Sequence, residues 1–242
     1  MESSSGKCGA NEGVRINKYL AQQGLCTRRE ADGLISAGKV LVDGKPAVLG
    51  QKVSQKDEVK LIESPLDTKK YVYYAYYKPQ DVITHSPEKG ETDILASSGL
   101  KGVFPIGRLD KDSEGLIILT NDGRVTERLL SPRFEHEKEY VVKAGSRVTK
   151  EHLSAMEKGM RIRGEKIKPC RTKRLSDYSF SIILTEGKKR QIREMCRLVE
   201  LPVKSLKRIR IMNIKLGGLK VNRYRELEGK ELEEFKKGIG LK

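Results

Sequence analysis

Residues 107–123 read GRLDKDSEGLIILTNDG, in which four consecutive apolar side chains, Leu116–Leu119, stand between a Gly-led turn and an Asn-Asp-Gly turn. A run of that length without a polar face reads as a buried strand. The turn ahead of it presents Arg108 and Asp110. An acid at the mouth of a rigid strand, with an arginine two residues before it, sits where chemistry would be done on an anionic substrate.

Charge narrows the partner more than the fold. At 242 residues the chain can hold one large or two small domains with a proper core. Its 49 Lys and Arg against 33 Asp and Glu leave a formal net charge of +16, with aromatic residues at only 5%. Such an excess favours a polyanion, because each neutralised phosphate releases counterions and adds affinity. Nucleic acid is the expected partner. The N-terminal MESSSGKCGANEG lacks the apolar centre of a signal peptide, and no later stretch approaches the roughly 20 apolar residues of a membrane span. A cytoplasmic protein with no membrane partner is expected. Cys8, Cys26, Cys170 and Cys196 form no CxxC pair, and His85, His136 and His152 show no ligand spacing, so four reduced thiols and no bound metal are expected.

Residues 1–13 are small and polar and are expected to form a disordered tail. From Val14, residues Ile16, Tyr19 and Leu20 fall at helical spacing up to Gly24. Thr27-Arg28-Arg29-Glu30 is then a capping box, opening a second helix through Ala31, Leu34 and Ile35 to Gly38. Lys39–Val42 reads as a strand entering the Asp43-Gly44 turn, and Glu58–Ile62 as another. Residues 14–62 thus make a small α/β domain with nine basic and five acidic residues. Its stretch RINKYLAQQGLCTRREADGLISAGKVLVDGK resembles the alpha-L type of RNA-binding domain, first known from a small-subunit ribosomal protein. The resemblance implies that Arg28 and Arg29 lie against RNA, with Lys39 and Lys45 nearby. The modest charge excess suits backbone contacts rather than base reading.

Residues 63–70, with Ser64-Pro65, read as a linker, and residues 71–242 as a second domain. Tyr71–Tyr77, YVYYAYY, has the propensity of a strand, and alternation favours core packing over a stacking platform for its five tyrosines. Ser86–Gly90 is a turn-rich loop. Arg124–Leu130 is a helix stopped at Ser131-Pro132, Lys138–Val142 a strand, and Thr149–Lys158 a helix ended by Gly159. Phe180–Thr185 is an apolar strand leading through Glu186-Gly187 into the basic helix KRQIREMCRLV, with Ile192, Met195 and Val199 on one face. Leu206–Leu216 alternates basic and apolar residues as one strand with a single buried face, and residues 231–237 form a polar closing helix. From Glu186 to Arg225 there are thirteen basic and three acidic residues, too one-sided for an ordinary solvated surface.

Asp110 to Gly115 imitates the start of an EF-hand loop, but the twelfth position is Asn121 and positions seven to ten are Leu116–Leu119, so calcium is not expected. No Walker A sequence, GxGxxG, GxSxG elbow or Cys/His nucleophile pair is present in the sequence. Instead GRLDKDSEGLIILTNDG, the EKEY ending at Tyr140 and EGKKRQIREM around Arg193, in that order, resemble the RsuA/RluB/RluF branch of the pseudouridine synthases. The resemblance runs from Lys78-Pro79 to about Arg225 and is nearest the RluF-like members. An N-terminal RNA-binding domain is usual for this branch. The chain departs from it after Lys78-Pro79, where glycine often follows within two positions and Gln80-Asp81 stand here.

The resemblance implies an α+β fold, with the small N-terminal α/β domain followed by a catalytic domain whose mainly antiparallel sheet is flanked by helices. It implies isomerisation of a specific uridine in structured RNA, and large-subunit ribosomal RNA in particular. By position Asp110 is the implied catalytic aspartate, Tyr140 lies against the target base, Arg193 pairs with the Asp110 carboxylate, and Arg108, Lys189, Arg190 and Gln191 face RNA. An opposing arginine lowers an aspartate pKa by about 1–3 units. Flipping the base out costs a few kcal/mol, of which stacking on an aromatic returns about 1–3 kcal/mol. Breaking a glycosidic N–C bond, rotating the base and rejoining it through carbon consumes neither water nor a redox equivalent. One ionised carboxylate therefore suffices as nucleophile or base, no cofactor is expected, and the protein is expected to be a monomer.

Two other readings compete. A non-enzymatic RNA-binding or ribosome-assembly protein accounts for the basic surface but not for GRLD together with a distant Arg193. A metal-dependent nuclease would use Asp110, Asp112 and Glu114, which alternation along an extended chain puts on one side. Within the synthase reading, small-subunit ribosomal RNA and transfer RNA stay open as substrates.

Overall fold

The computed structural model describes residues 13–23, 25–54, 56–62, 70–85, 87, 88 and 90–241. The chain separates into two units, residues 1–70 and 71–242. Residues 1–12 of the expected tail and 63–69 of the expected linker lie outside the described residues, as does Cys8.

Local rules account for the first unit. It runs β1 (Val14–Arg15), α1 (Ile16–Gln22), α2 (Arg28–Ser36), β2 (Val40–Val42), β3 (Lys45–Pro46), β4 (Lys52–Val53) and β5 (Val59–Leu61). The capping box is formed: the Glu30 N–H donates to the Thr27 hydroxyl at 3.1 Å, and the Thr27 N–H donates to the Glu30 carboxylate at 2.8 Å. Such a cap contributes about 1 kcal/mol. Asp43 at φ 49° and Gly44 at φ 77° supply the two left-handed residues of a tight hairpin, so β2 becomes the centre of a three-stranded sheet in the order β3-β2-β5. Ile16, Leu20, Ala31, Ile35 and Val40 close the core between helices and sheet.

The second unit follows as β6 (Tyr73–Lys78), α3 (Ile94–Ser98), β7 (Phe104–Ile106), β8 (Glu114–Thr120), α4 (Arg124–Leu130), β9 (Lys138–Ala144), α5 (Lys150–Glu157), β10 (Arg161–Ile162), β11 (Glu165–Lys166), β12 (Arg171–Ser176), β13 (Ser179–Leu184), α6 (Gln191–Leu198), β14 (Val203–Ile211), β15 (Ile214–Lys215), β16 (Tyr224–Glu226) and α7 (Gly229–Gly238). Its main sheet has the order β12-β13-β9-β14-β8-β6-β16, with β15 paired to β14 and β7 to β8. All pairings are antiparallel except β14 with β8. The expected α+β fold with a mainly antiparallel sheet is what forms.

Opposed residues share a face, and this sorts the core. Tyr77 opposite Leu116 and Ala75 opposite Ile118 look towards Val125 and Leu129 of α4 and Phe235 of α7. Tyr76 opposite Ile117 looks the other way, towards Ile94 of α3. Farther across that second face, Val142, Phe180, Ile182 and Leu206 pack on α5 and α6. Leu116–Leu119 are fully buried because helices cover both faces, at about 1.5–3 kcal/mol for each side chain. Tyr73, Tyr76 and Tyr77 are core residues, Tyr76 and Tyr77 on opposite faces and both buried because the sheet is covered on both sides, where alternation alone turns some of the tyrosines outward.

The Asn-Asp-Gly end of β8 is structural. Asn121 accepts the Val72 N–H at 2.9 Å, and buried Asp122 takes the Tyr73 hydroxyl at 2.6 Å and two bonds from the Arg124 side chain at 2.7 Å each. Asp81 has φ 64°, so an aspartate holds the left-handed position near Lys78-Pro79 that glycine adopts at least cost.

The segment 206–216 differs from the single strand expected. A turn at Met212, φ 52°, folds it into the β14–β15 hairpin, and an irregularity between Arg208 and Arg210 exchanges the faces. Arg208 therefore pairs with Tyr140 and Arg210, two residues on, with the neighbouring Glu139, so the two arginines point to opposite faces. Strict alternation along the sequence cannot show such a step.

Lys138 is buried on β9 with Nζ 3.2 Å from the His136 carbonyl, and burial first, then the Arg208 charge, brings its pKa down to about 8. Between pH 8 and the ordinary lysine value of 10.5 the unfolded chain binds more protons here than the folded one, so this group makes stability rise with pH across that window. Lys138→Met is expected to be more stable than the parent at pH 7 by about 1–3 kcal/mol, with the difference shrinking towards pH 10. Urea denaturation at pH 7 and 9.5 measures it. A destabilised Lys138→Met at pH 7 would show that the bond to His136 outweighs the cost of burying the charge.

Candidate active site

A single cross-strand row organises the face covered by α3, α5 and α6. Lys78 on β6 stands opposite Gly115 on β8, Gly115 opposite Arg208 on β14, and Arg208 opposite Tyr140 on β9. Gly115 has φ 112°, and a Cβ there would lie 2.3 Å from the Arg208 carbonyl oxygen and 2.7 Å from its nitrogen. Glycine is required for β8 and β14 to meet. Arg208 is buried, its Nε donating to the Leu116 carbonyl at 2.7 Å and its Cζ 5.9 Å from the Tyr140 ring centroid.

Asp110 lies on the turn that enters this row, and its backbone is held from both sides. The Thr84 hydroxyl donates to the Leu109 carbonyl at 2.7 Å and accepts the Leu109 N–H at 3.2 Å, while the Ser113 N–H donates to the Asp110 carbonyl at 3.0 Å. Fully buried Lys78 ties the turn to β6, its Nζ donating to the carbonyls of Ser113 at 2.7 Å, Pro79 at 2.9 Å and Lys111 at 3.4 Å. Burial lowers the Lys78 pKa to about 8, with the charges of Asp112, Asp81 and Asp110 opposing that shift. The Asp110 side chain is half-buried and makes no hydrogen bond or ion pair among the described residues.

Arg193 faces a different carboxylate from the one the resemblance implied. Its Nε is 3.3 Å from Asp112 Oδ2, an ion pair without hydrogen-bond geometry, and its Nη2 donates to the Asp112 carbonyl at 3.0 Å and to Ser113 Oγ at 3.4 Å. Arg190 joins it, donating to Asp112 Oδ2 at 3.0 Å. The Lys111-Asp112 turn swings Asp112 towards the start of α6, and two acids two residues apart look alike in sequence. Gln191 also departs from its expected place facing RNA. It is buried, donating to Glu186 at 2.9 Å and accepting the Lys188 N–H at 3.0 Å, which fixes the loop into α6. Lys189 and Arg108 are exposed, Arg190 and Tyr140 half-buried. In the first unit Arg28 and Arg29 are exposed at the start of α2, Lys45 is exposed on β3, and Lys39 is half-buried before β2.

The metal-site reading does not survive the turn. Glu114 lies on the opposite face, accepting the Tyr77 hydroxyl at 2.7 Å, so Asp110, Asp112 and Glu114 do not converge. Among the described residues no group of three His, Cys, Asp or Glu is placed to hold a metal ion. Cys26, Cys170 and Cys196 are in no disulfide, and burial raises the Cys170 thiol to about 11 and Cys196 to about 12. A hollow of about 380 Å³ beside Arg190, Arg193 and Arg197 adjoins the start of α6. A larger one of about 980 Å³, with Tyr77, Glu139 and Lys207 in its lining, opens on the other face of the sheet, away from Asp110. Chemistry rather than size locates the site. Sequence alone did not point to Lys78, Thr84, Gly115 or Arg208, and named Asp112 only as a metal ligand. Arg208 had a signal, since alternation from Leu206 puts it on the buried face.

The family model of RNA pseudouridylate synthases matches residues 72–198, and the S4-domain model matches residues 14–59. The dual-specificity RNA pseudouridine synthase RluF of Escherichia coli K12 is 41% identical over 232 residues, which is 93% of this chain and 79% of that protein. The ribosomal large subunit pseudouridine synthase B of Bacillus subtilis is 36% identical over 233 residues, 92% of this chain and 95% of that one. A crystal structure of a pseudouridylate synthase matches with a TM-score of 0.67 at 28% identity, covering 91% of this chain and 98% of the other.

These matches, with the site geometry, mark an enzyme that isomerises uridine in RNA rather than a passive RNA binder. The chain belongs to the RsuA family of pseudouridine synthases and carries an N-terminal S4 domain. Among the described residues no helix is long and apolar enough to cross a membrane.

Proposed function

We propose that the substrate is a uridine in large-subunit ribosomal RNA and that Asp110 is the reacting carboxylate. The observation that carries the site assignment is the turn at Asp110, whose backbone is pinned by Thr84, Ser113 and Lys78 while its side chain stays unpaired among the described residues. A reacting group needs a rigid base and free lone pairs. The substrate class is supported by the relatives, one of which is a large-subunit synthase by name.

In this reading the uracil is flipped out against Tyr140, the N1–C1′ bond breaks, the base turns, a C5–C1′ bond forms, and the proton lost from C5 to solvent is balanced by one taken up at N1. Asp110 serves as nucleophile or base. Arg208, beside the Tyr140 ring, places a fixed positive charge where the detached uracil carries negative charge. Arg108, Lys189 and Arg190 meet RNA phosphates, and Arg193 braces the turn that carries Asp110. Arg28 and Arg29, with Lys39 and Lys45, bind RNA through its backbone, raising the local concentration of substrate at the second unit.

The test is tritium release from large-subunit ribosomal RNA carrying uridine tritiated at carbon five, with no added metal or cofactor. Release from that RNA is the expected result. Release confined to small-subunit ribosomal RNA or transfer RNA would move the substrate and overturn this assignment.

A further inference from the structure

Lys78 and Lys138 are both buried in the main sheet, and the fold treats them differently. Lys78 gives its ammonium to three carbonyls and has the carboxylates of Asp112, Asp81 and Asp110 near enough to oppose the effect of burial. Lys138 has neither kind of support. Its Nζ donates to the His136 carbonyl at 3.2 Å, although an ammonium has three hydrogens to give. Among the described residues it forms no ion pair, and the charge that acts on it is that of Arg208, of the same sign. Arg208 is buried as well, with Nε on the Leu116 carbonyl and Nη2 without a hydrogen-bond partner among the described residues. Alternation along β9 puts Lys138 on the face that carries Tyr140, and Tyr140 stands opposite Arg208. Two buried cations, neither paired with a carboxylate, therefore lie on the strands around one half-buried aromatic ring. Burying an unneutralised charge costs several kcal/mol, and a fold that keeps one at its reaction site trades stability for function.

We propose that Lys138 faces the substrate and, together with Arg208, holds the uracil while it is detached and negatively charged, a proposal that rests on the reading in which the base lies against Tyr140. When the N1–C1′ bond breaks, its electron pair leaves with the base, and the charge spreads over N1, O2 and O4. The charge is lost again when C5 closes on C1′ and the C5 proton is replaced by one at N1. The ammonium transfers no proton in this sequence. It holds the anion by charge and by its remaining N–H groups, in a site shielded from water, where a fixed charge counts for more than it does in solution. A pKa of about 8 leaves Lys138 charged at pH 7 for that purpose. Two separate cations also suit a base that must turn between one bond and the next, because neither pins it in a single orientation.

Tritium release at pH 7, on whichever RNA the parent modifies, decides this for the full-length parent and three variants, with the melting temperature of each measured alongside. Lys138→Met is expected to lower kcat about 100-fold with KM within about threefold of the parent, although its melting temperature does not fall. Lys138→Arg keeps a cation and is expected to recover kcat at least about tenfold over Lys138→Met. A kcat for Lys138→Met within about threefold of the parent overturns the proposal. So does a raised KM at unchanged kcat, which marks a contact with RNA phosphate made equally in ground and transition states. A fall in kcat that Lys138→Arg does not reverse overturns it too, because shape rather than charge was then lost. Asp110→Asn, run in parallel, keeps the two ideas apart: activity retained there defeats the Asp110 assignment and leaves Lys138 to its own kinetics, whereas an inactive Asp110→Asn beside an unaffected Lys138→Met defeats the role of Lys138 alone.

Discussion

Asp110→Asn is expected to lose at least about a thousandfold in isomerisation rate while binding RNA within about threefold of the parent. The chemistry demands a group that can accept a carbon centre or a proton, and an amide nearly isosteric with the carboxylate does neither at neutral pH. The substitution removes no fold contact, because the bonds that hold this turn run through the backbone of Leu109 and Asp110 and through Lys78. Affinity should persist, since it comes from cations that the change leaves in place. Parallel measurements of tritium release and filter binding on one RNA separate the two quantities. Residual activity above about one per cent would place the chemistry on another residue.

The second large effect belongs to Gly115. Gly115→Ala is expected to cost more than about 4 kcal/mol, a large part of the 5–15 kcal/mol typical of a folded domain. The added methyl would meet backbone, the Arg208 oxygen at 2.3 Å and nitrogen at 2.7 Å, and no side-chain rotation can relieve that. The residue also holds φ 112°, which an L side chain rarely adopts. Relief requires β8 and β14 to part. Theirs is the parallel pairing that joins the part of the sheet under α3 to the part under α6, and with it Asp110 to Tyr140. Urea denaturation followed by circular dichroism should show the loss, and a shift below about 1 kcal/mol would mean that the two strands yield more easily than their geometry indicates.

Together the two substitutions separate chemistry from architecture. On the proposed assignment Asp110 is dispensable for the fold and needed for the reaction, whereas Gly115 carries no reactive group and lets β8 and β14 meet beside the site. Lys78 stands between them, its ammonium spent on three carbonyls and its position opposite Gly115 making it part of the row.

Much was legible in sequence where a rule acts over a few residues. The four-residue apolar run became the doubly covered β8, Thr27 and Glu30 made their reciprocal cap, Asp43-Gly44 made its hairpin, and Thr149 and Gly159 bracketed α5. The resemblance carried by GRLD, EKEY and EGKKRQIREM, in that order, is what brought Asp110, Tyr140 and Arg193 forward as a group. Short elements escaped. β7 has three residues, and the exposed edge strand β12, RTKRLS, has no apolar alternation to reveal it.

What the sequence determined by itself, then, was the identity of most elements, because capping, turn conformation and hydrophobic period depend on neighbours along the chain, while the set of candidate residues came from the resemblance of its motifs to a known family. Tertiary structure decided which acid Arg193 and Arg190 meet, that Gln191 turns inward, and that Leu206–Leu216 folds back after its faces exchange at Arg208. It also decided that Lys78, Gly115, Arg208 and Tyr140 form one row. Those outcomes depend on strand register and on a turn two residues wide. Slipping a strand by one residue moves every side chain to the other face, and register is set by pairing across long stretches of chain.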